Sequence, residues 1–123
     1  MKVLLIDDDE FIIDLYEHVF KVEKHETVKA YDGIEALNTL KKMDKLPDVI
    51  ILDIVMPKMD GFEFLGKIKA DNKLQNIPVV VLSNLYSRED REKGLSAGAD
   101  VFLVKSEHDP NEILTYALSF SKG

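Results

Sequence analysis

Pro47-Asp48-Val49-Ile50-Ile51-Leu52-Asp53 sets four consecutive aliphatic residues between two acids, one residue past a proline. The run has strand length, and without polar alternation it must be covered on both faces. Strands of that kind belong to parallel sheets flanked by helices. Three more runs repeat the pattern: Val3-Leu4-Leu5-Ile6, Val79-Val80-Val81-Leu82 after Pro78, and Val101-Phe102-Leu103-Val104. A weaker strand spans about 26–30, from Glu26 to Ala30.

Segments of helical period lie between the strands. One covers about 10–22, and a second follows Asp32-Gly33 with Ile34, Leu37 and Leu40 in sequence. A third follows the break at Met56-Pro57 and carries Phe62, Phe64, Leu65 and Ile68. The fourth opens at Ser87, with Asp90 three residues on in a capping-box arrangement, and Gly98 stands where it should stop. The last has Asp109 as N-cap, Pro110 at its first position and Glu112 at its third. Five βα units in series predict a three-layer α/β sandwich around a doubly wound, five-stranded parallel sheet. No repeat or linker interrupts the pattern, so residues 1–123 are expected to form one domain.

Composition narrows the function. With 46% hydrophobic and 32% charged residues, the chain can bury a core. Its net charge of −7 disfavours direct nucleic-acid binding, which needs clustered Lys and Arg, and disfavours anionic membranes too. There is no cysteine, so neither disulfides nor thiolate metal sites are possible. The apolar stretch before Asp7 is too short for a signal peptide, and no segment approaches a membrane span. A cytoplasmic location is the expectation.

In a doubly wound sheet, ligands bind beyond the carboxyl ends of the strands. Those ends carry Asp7, Asp8, Asp9 and Glu10 after the first strand, and Asp53 after the third. Ser83 and Asn84 follow the fourth, Lys105 and Ser106 the fifth, while Tyr31 and Asp32 follow the second, to one side. Carboxylates converging in one cleft repel each other, and a divalent cation resolves the conflict. Mg²⁺ suits one or two carboxylates, waters and a phosphate oxygen. A lysine opposite can pair with a carboxylate or a phosphoryl oxygen. An acidic loop alone is as often a solvated surface, but its coincidence with Asp53, Ser83 and Lys105 at one sheet edge points to a site.

These segments are similar to the receiver domains of two-component signalling, over essentially the full chain. Lys2-Val3-Leu4-Leu5-Ile6-Asp7-Asp8-Asp9-Glu10 resembles the family's opening strand and acidic pair. Asp53-Ile54-Val55-Met56-Pro57-Lys58-Met59-Asp60-Gly61 resembles its phosphorylation segment, and Ser83 stands where the family has Ser or Thr. Gly98-Ala99-Asp100-Val101-Phe102-Leu103-Val104-Lys105 resembles its fifth-strand signature. The resemblance implies a flavodoxin-like strand order 2-1-3-4-5. It further implies that Asp53 is the phosphoacceptor, taking a phosphoryl group from a phosphohistidine on a sensor histidine kinase or histidine phosphotransfer domain. Asp7 and Asp8 would hold Mg²⁺ with Asp53 and the Val55 backbone carbonyl. Asp7 and Asp8 are preferred to Asp9 because they immediately follow the apolar run. Lys105 would pair with one phosphoryl oxygen and Ser83 would donate to another. Movement of Ser83 would vacate space for the Phe102 ring, shifting a two-state equilibrium that a downstream protein reads.

Other residues take plainer readings. Met56, Met59 and Phe62 are expected to pack, as is an ordinary aromatic at Phe102 if no switch exists. His18, His25 and His108 lie away from the strand ends and are not expected to be ligands. The first helix has more apolar residues than one face needs: Phe11, Ile12, Ile13, Leu15, Tyr16, Val19 and Phe20. The surplus points either to a contact surface near Asp53 where a helical kinase domain docks, or to incomplete burial of a short helix.

Two departures from the family stand out. Ser106 follows Lys105 where the family usually has a proline, often cis. A cis bond before any other residue costs about 2.5–4 kcal/mol, so this loop either differs from the family's or carries strain, and the geometry of the Lys105-Ser106 peptide stays open. Asn84 replaces a usually small residue. Val55 and Leu85, two beyond Asp53 and two beyond Ser83, are aliphatic at positions that line the pocket mouth in receivers. Neither can orient a water, so slow loss of the phosphoryl group is expected.

Three competing readings are weaker. A haloacid dehalogenase-like phosphatase also uses an Asp nucleophile with Mg²⁺, but needs a second Asp where Val55 stands. A flavodoxin-type electron carrier needs phosphate-cradling donors where four acids occur in succession. A receiver-like adaptor independent of phosphorylation would not need the full set of Asp7, Asp8, Asp53, Ser83 and Lys105.

Overall fold

The computed structural model describes residues 1–84 and 87–120. Strands β1 (Lys2–Ile6), β2 (Glu26–Ala30), β3 (Val49–Asp53), β4 (Val79–Ser83) and β5 (Val101–Val104) alternate with helices. The helices are α1 (Glu10–Val22), α2 (Gly33–Lys42), α3 (Gly61–Ala70), α4 (Arg88–Ser96) and α5 (Pro110–Leu118), with a 3-10 turn at Lys105–Glu107. All strand pairs are parallel, in the order β2-β1-β3-β4-β5. The strand order agrees with the one the resemblance implied.

The unbroken apolar runs have a direct cause. Successive side chains of a strand point to opposite faces, and both faces are covered here. Leu4, Ile6, Ile50, Leu52, Val79, Val81 and Phe102 join Leu40, Phe64, Leu65 and Ile68 in one cluster. Val3, Leu5, Val49, Ile51, Val80, Leu82 and Leu103 join Tyr16, Phe20, Ile113, Leu114 and Ala117 in the other. A one-residue slip of any central strand would trade these two sets, so packing on both faces fixes the register.

Helix starts follow the capping chemistry. Asp9, Asp32 and Asp60 accept hydrogen bonds at the first turns of α1, α2 and α3. Asp109 and Glu112 form the full capping box expected for α5. At α4 the expectation needs correction. Ser87 Oγ accepts from the Asp90 N–H at 3.1 Å, but the Asp90 carboxylate takes the Ser87 hydroxyl at 2.6 Å rather than its backbone N–H. Half the box forms, because an aspartate is a methylene shorter than the glutamate the motif prefers. Gly98 follows α4 with φ +115°, a conformation that side chains resist.

Candidate functional site

The site lies where β1, β3, β4 and β5 end together. Asp7 and Asp53 are buried, with 5% and 6% of their surface exposed, while Asp8 faces solvent. Carboxylate oxygens of Asp7, Asp8 and Asp53 all lie within 4.8 Å of one another. Asp9 is not among them. Its side chain accepts from the Phe11 and Ile12 N–H groups and so belongs to the start of α1. Of the three aspartates in the run, Asp7 and Asp8 are the two that cluster with Asp53.

Lys105 reaches in from the end of β5. Its Nζ donates to Asp7 Oδ2 at 2.7 Å and stands 3.5 Å from Asp53 Oδ1. Asp7 Oδ1 meanwhile accepts the Asp9 N–H at 3.0 Å. Burial, followed by the charge of Asp7, pushes the Asp53 carboxyl up to about 6, with Lys105 working against that rise. Burial also works to lower the Lys105 ammonium, but the Asp7 hydrogen bond and the Asp53 charge outweigh it and hold it above its ordinary value. One cation among three carboxylates leaves a net negative pocket of oxygen donors, the composition a hard divalent cation takes.

The loop after β3 is set by a close approach. The Gly61 N–H donates to the Ile54 carbonyl at 2.7 Å, and a Cβ on Gly61 would lie 2.6 Å from the Asp53 carbonyl oxygen. Only glycine lets α3 start this near the end of β3. Val55 is 58% exposed on that loop, directly after Asp53 and Ile54. Met56 and Met59 are buried, as expected for packing residues.

Ser83 is fully buried at the end of β4, in register with Val104. Phe102 is 2% exposed, and its ring lies on α4, where a Cβ on Gly94 would come within 2.7 Å of Cδ2. Asn84 is exposed. Leu85 lies outside the described residues. No peptide bond among the described residues is cis, and Ser106 sits in the 3-10 turn that follows β5.

The histidines stay apart. His25 contacts the N-terminal amine at 3.3 Å, His108 pairs with Glu112, and His18 is exposed on α1. Two residues that the strand-end rule did not single out bear on the site. Lys58, at φ +65°, reaches the buried Asp32 at 3.6 Å beside the phosphorylation-like loop. Tyr16, one of several apolar positions of α1, lines a small cavity together with Asp7 and Asp53.

The sequence pattern of the family described as the response regulator receiver domain matches residues 3–117. The chain belongs to that family. It is 39% identical over 107 residues to the gliding motility regulatory protein of Myxococcus xanthus, covering 87% of this chain and 14% of that protein. Response regulator PleD of Caulobacter vibrioides is 41% identical over 108 residues, covering 88% of this chain and 23% of its own length. This receiver thus spans less than a quarter of these two relatives. The chemotaxis response regulator CheY4 of Vibrio cholerae superposes with a TM-score of 0.87 at 32% identity, covering 98% of both chains. The chain is therefore a receiver domain of the two-component kind, and the phosphatase and adaptor readings are not favoured. Among the described residues no helix is long and apolar enough to cross a membrane.

Proposed function

We propose that this receiver is a phosphoacceptor switch, not a turnover enzyme, and that Asp53 carries the phosphoryl group. The observation that carries the reading is a buried Asp53 flanked by Asp7, Asp8 and Lys105 at one sheet edge. An Asp53 carboxylate oxygen attacks the phosphorus of a phosphohistidine. The new P–O bond forms as the P–N bond breaks, and the departing imidazole nitrogen keeps the electron pair. Asp7, Asp8, Asp53 and the Val55 carbonyl would hold Mg²⁺, which when bound neutralises charge on the transferring phosphoryl oxygens. Lys105, released from Asp7, pairs with one phosphoryl oxygen. The Ser83 hydroxyl donates to another, and Phe102 responds to the space that Ser83 leaves.

The donor is a cytoplasmic sensor histidine kinase or histidine phosphotransfer domain. A dock for it is supported by α1, where Phe11 is 76% and Leu15 41% exposed while Ile13, Tyr16 and Phe20 are buried. A downstream protein reads the face around Phe102, and residues 1–123 act as one domain without contacting nucleic acid or membrane.

The test is uptake from acetyl phosphate. Intact mass should rise by one phosphoryl group with Mg²⁺ and stay unchanged with a chelator, and borohydride reduction should map the acyl phosphate to Asp53. Labelling elsewhere, or undiminished labelling in chelator, overturns the reading.

Lifetime gives a second check. The exposed Val55 side chain at the mouth has no group that can orient a hydrolytic water, so the phosphorylated protein should decay slowly. Val55→Asn should speed decay at saturating Mg²⁺ by about threefold or more, the worth of one added hydrogen bond. Adding Leu85→Glu should speed it further. Equal decay in all variants removes the argument.

A further inference from the structure

The loop between β3 and α3, residues 54–60, bears the Val55 carbonyl and is held at both ends. At its root the Gly61 N–H donates to the Ile54 carbonyl at 2.7 Å. At its tip the Met59 N–H donates to the Pro57 carbonyl at 2.7 Å, closing a three-residue γ-turn around Lys58. Lys58 has φ +65° there, a conformation that glycine adopts freely and a lysine resists. Strain of that kind persists where contacts around the residue offset it. A lysine at this point is explained by what its ammonium reaches.

Lys58 Nζ stands 3.6 Å from Asp32 Oδ2. Asp32 is buried, and its Oδ1 accepts the Glu35 N–H at 2.8 Å to cap α2. One oxygen thus fixes the carboxylate to its helix while the other faces the loop. A second contact lies beside this pair. A Cβ on Gly33 would come within 3.0 Å of Met59 Cβ, Cγ and carbonyl oxygen, so the start of α2 packs closely on the tip of the loop. The anchor itself is firm. Ala30, two residues before Asp32, ends β2, and its carbonyl accepts the Asp7 N–H at 3.2 Å. The Lys58–Asp32 pair therefore ties the loop that bears Val55 to the strand ends that bear Asp7.

We propose that Lys58 and Asp32 are positioning residues for the metal site, their ion pair latching the β3–α3 loop against α2 so that the Val55 carbonyl is held for a divalent cation. The proposal rests on the metal set of the receiver reading above, and it makes neither residue a ligand. Charge alone predicts the opposite sign. Removing a cation from the neighbourhood of clustered carboxylates should tighten divalent binding, whereas loss of a latch loosens it.

The experiment is an amide NMR titration of the unphosphorylated protein with Mg²⁺ at constant ionic strength, with thermal midpoints as folding controls. It compares wild type, Lys58→Met, Lys58→Arg, Asp32→Asn and the double variant of Lys58→Met with Asp32→Asn. Lys58→Met removes the charge without adding a branched side chain at positive φ, and Asp32→Asn keeps an oxygen to cap α2. Either change should weaken Mg²⁺ binding about threefold to fivefold, the upper part of the range for an ion pair with one exposed partner. The double variant should bind within about twofold of the weaker single variant, since a latch breaks once. Lys58→Arg, which keeps the charge, should bind as wild type does. Unchanged or tighter binding in Lys58→Met, losses that multiply in the double variant, or an equal loss in Lys58→Arg overturns the proposal. Wild-type amides around Asp53 that ignore Mg²⁺ would instead overturn the metal set itself, so the two failures are distinguishable.

Discussion

Asp8→Ala should lower the initial rate of phosphoryl uptake by about a hundredfold or more while leaving the fold intact. Of the two acids after β1, only Asp8 can be truncated so cleanly. It is exposed, whereas Asp7 is buried, holds Lys105 at 2.7 Å and accepts the Asp9 N–H. Removing Asp7 would take the shorter of the two carboxylate contacts from a half-buried ammonium and confuse loss of folding with loss of chemistry. Removing Asp8 takes away one of three clustered carboxylates and little else. Two carboxylates hold a divalent cation less well than three, so raising Mg²⁺ should recover part of the rate. The measurement is mass gain from acetyl phosphate across a Mg²⁺ series, with the thermal midpoint as the folding control. A rate within about twofold of wild type at low Mg²⁺ would remove Asp8 from the site, since one lost charged ligand should cost far more than that.

The sheet edge was readable because each informative residue directly follows an apolar run. Val49-Ile50-Ile51-Leu52 places Asp53, and the same arithmetic places Asp7, Ser83 and Lys105. Strand order was not readable in this way. Four strands are apolar on both faces, so periodicity cannot say which neighbours which, and the order came from resemblance alone. The structure divides each run between two clusters, which shows why no alternation exists to be read.

Within the site, the residue types were legible and their partners were not. Asp7-Asp8-Asp9 offers three similar carboxylates, and only backbone geometry turns the third into the cap of α1. Lys105 was expected opposite a carboxylate or phosphoryl group, and it prefers Asp7 to Asp53 because Asp7 lies nearer its Nζ. The apolar surplus of α1 was visible, but its division into exposed Phe11 and Leu15 and buried Tyr16 and Phe20 depends on how α5 packs beside it. Tyr16 was hidden for that reason. In a run of apolar letters a tyrosine reads as bulk, and only the third dimension brings it to one small cavity with Asp7 and Asp53. Gly94 was likewise silent until the Phe102 ring lay against it.

Asp53→Asn should make the metal-free protein more stable by about 3 kcal/mol at pH 7.5. Burial and the Asp7 charge raise the Asp53 carboxyl from 3.8 to about 6 on folding. Between those values the folded state holds the proton that the unfolded state has released. Stability from this group is therefore full below about pH 4, falls as pH rises through 6, and is gone at neutrality. Glu17 acts in the opposite sense. Burial would raise it, but hydrogen bonds from Thr27 and Lys29 outweigh that and lower it, so its contribution is complete above 4.5 and does not blur the window. Urea midpoints in chelator from pH 4.5 to 7.5 should fall for wild type and stay nearly level for Asp53→Asn, which keeps the shape and removes the charge. Mg²⁺ should stabilise wild type at pH 7.5 far more than the variant, because it relieves the same repulsion in the folded state only. An Asp53→Asn protein with the wild-type pH dependence would place the strain on another group and leave the pocket without its proposed charge conflict.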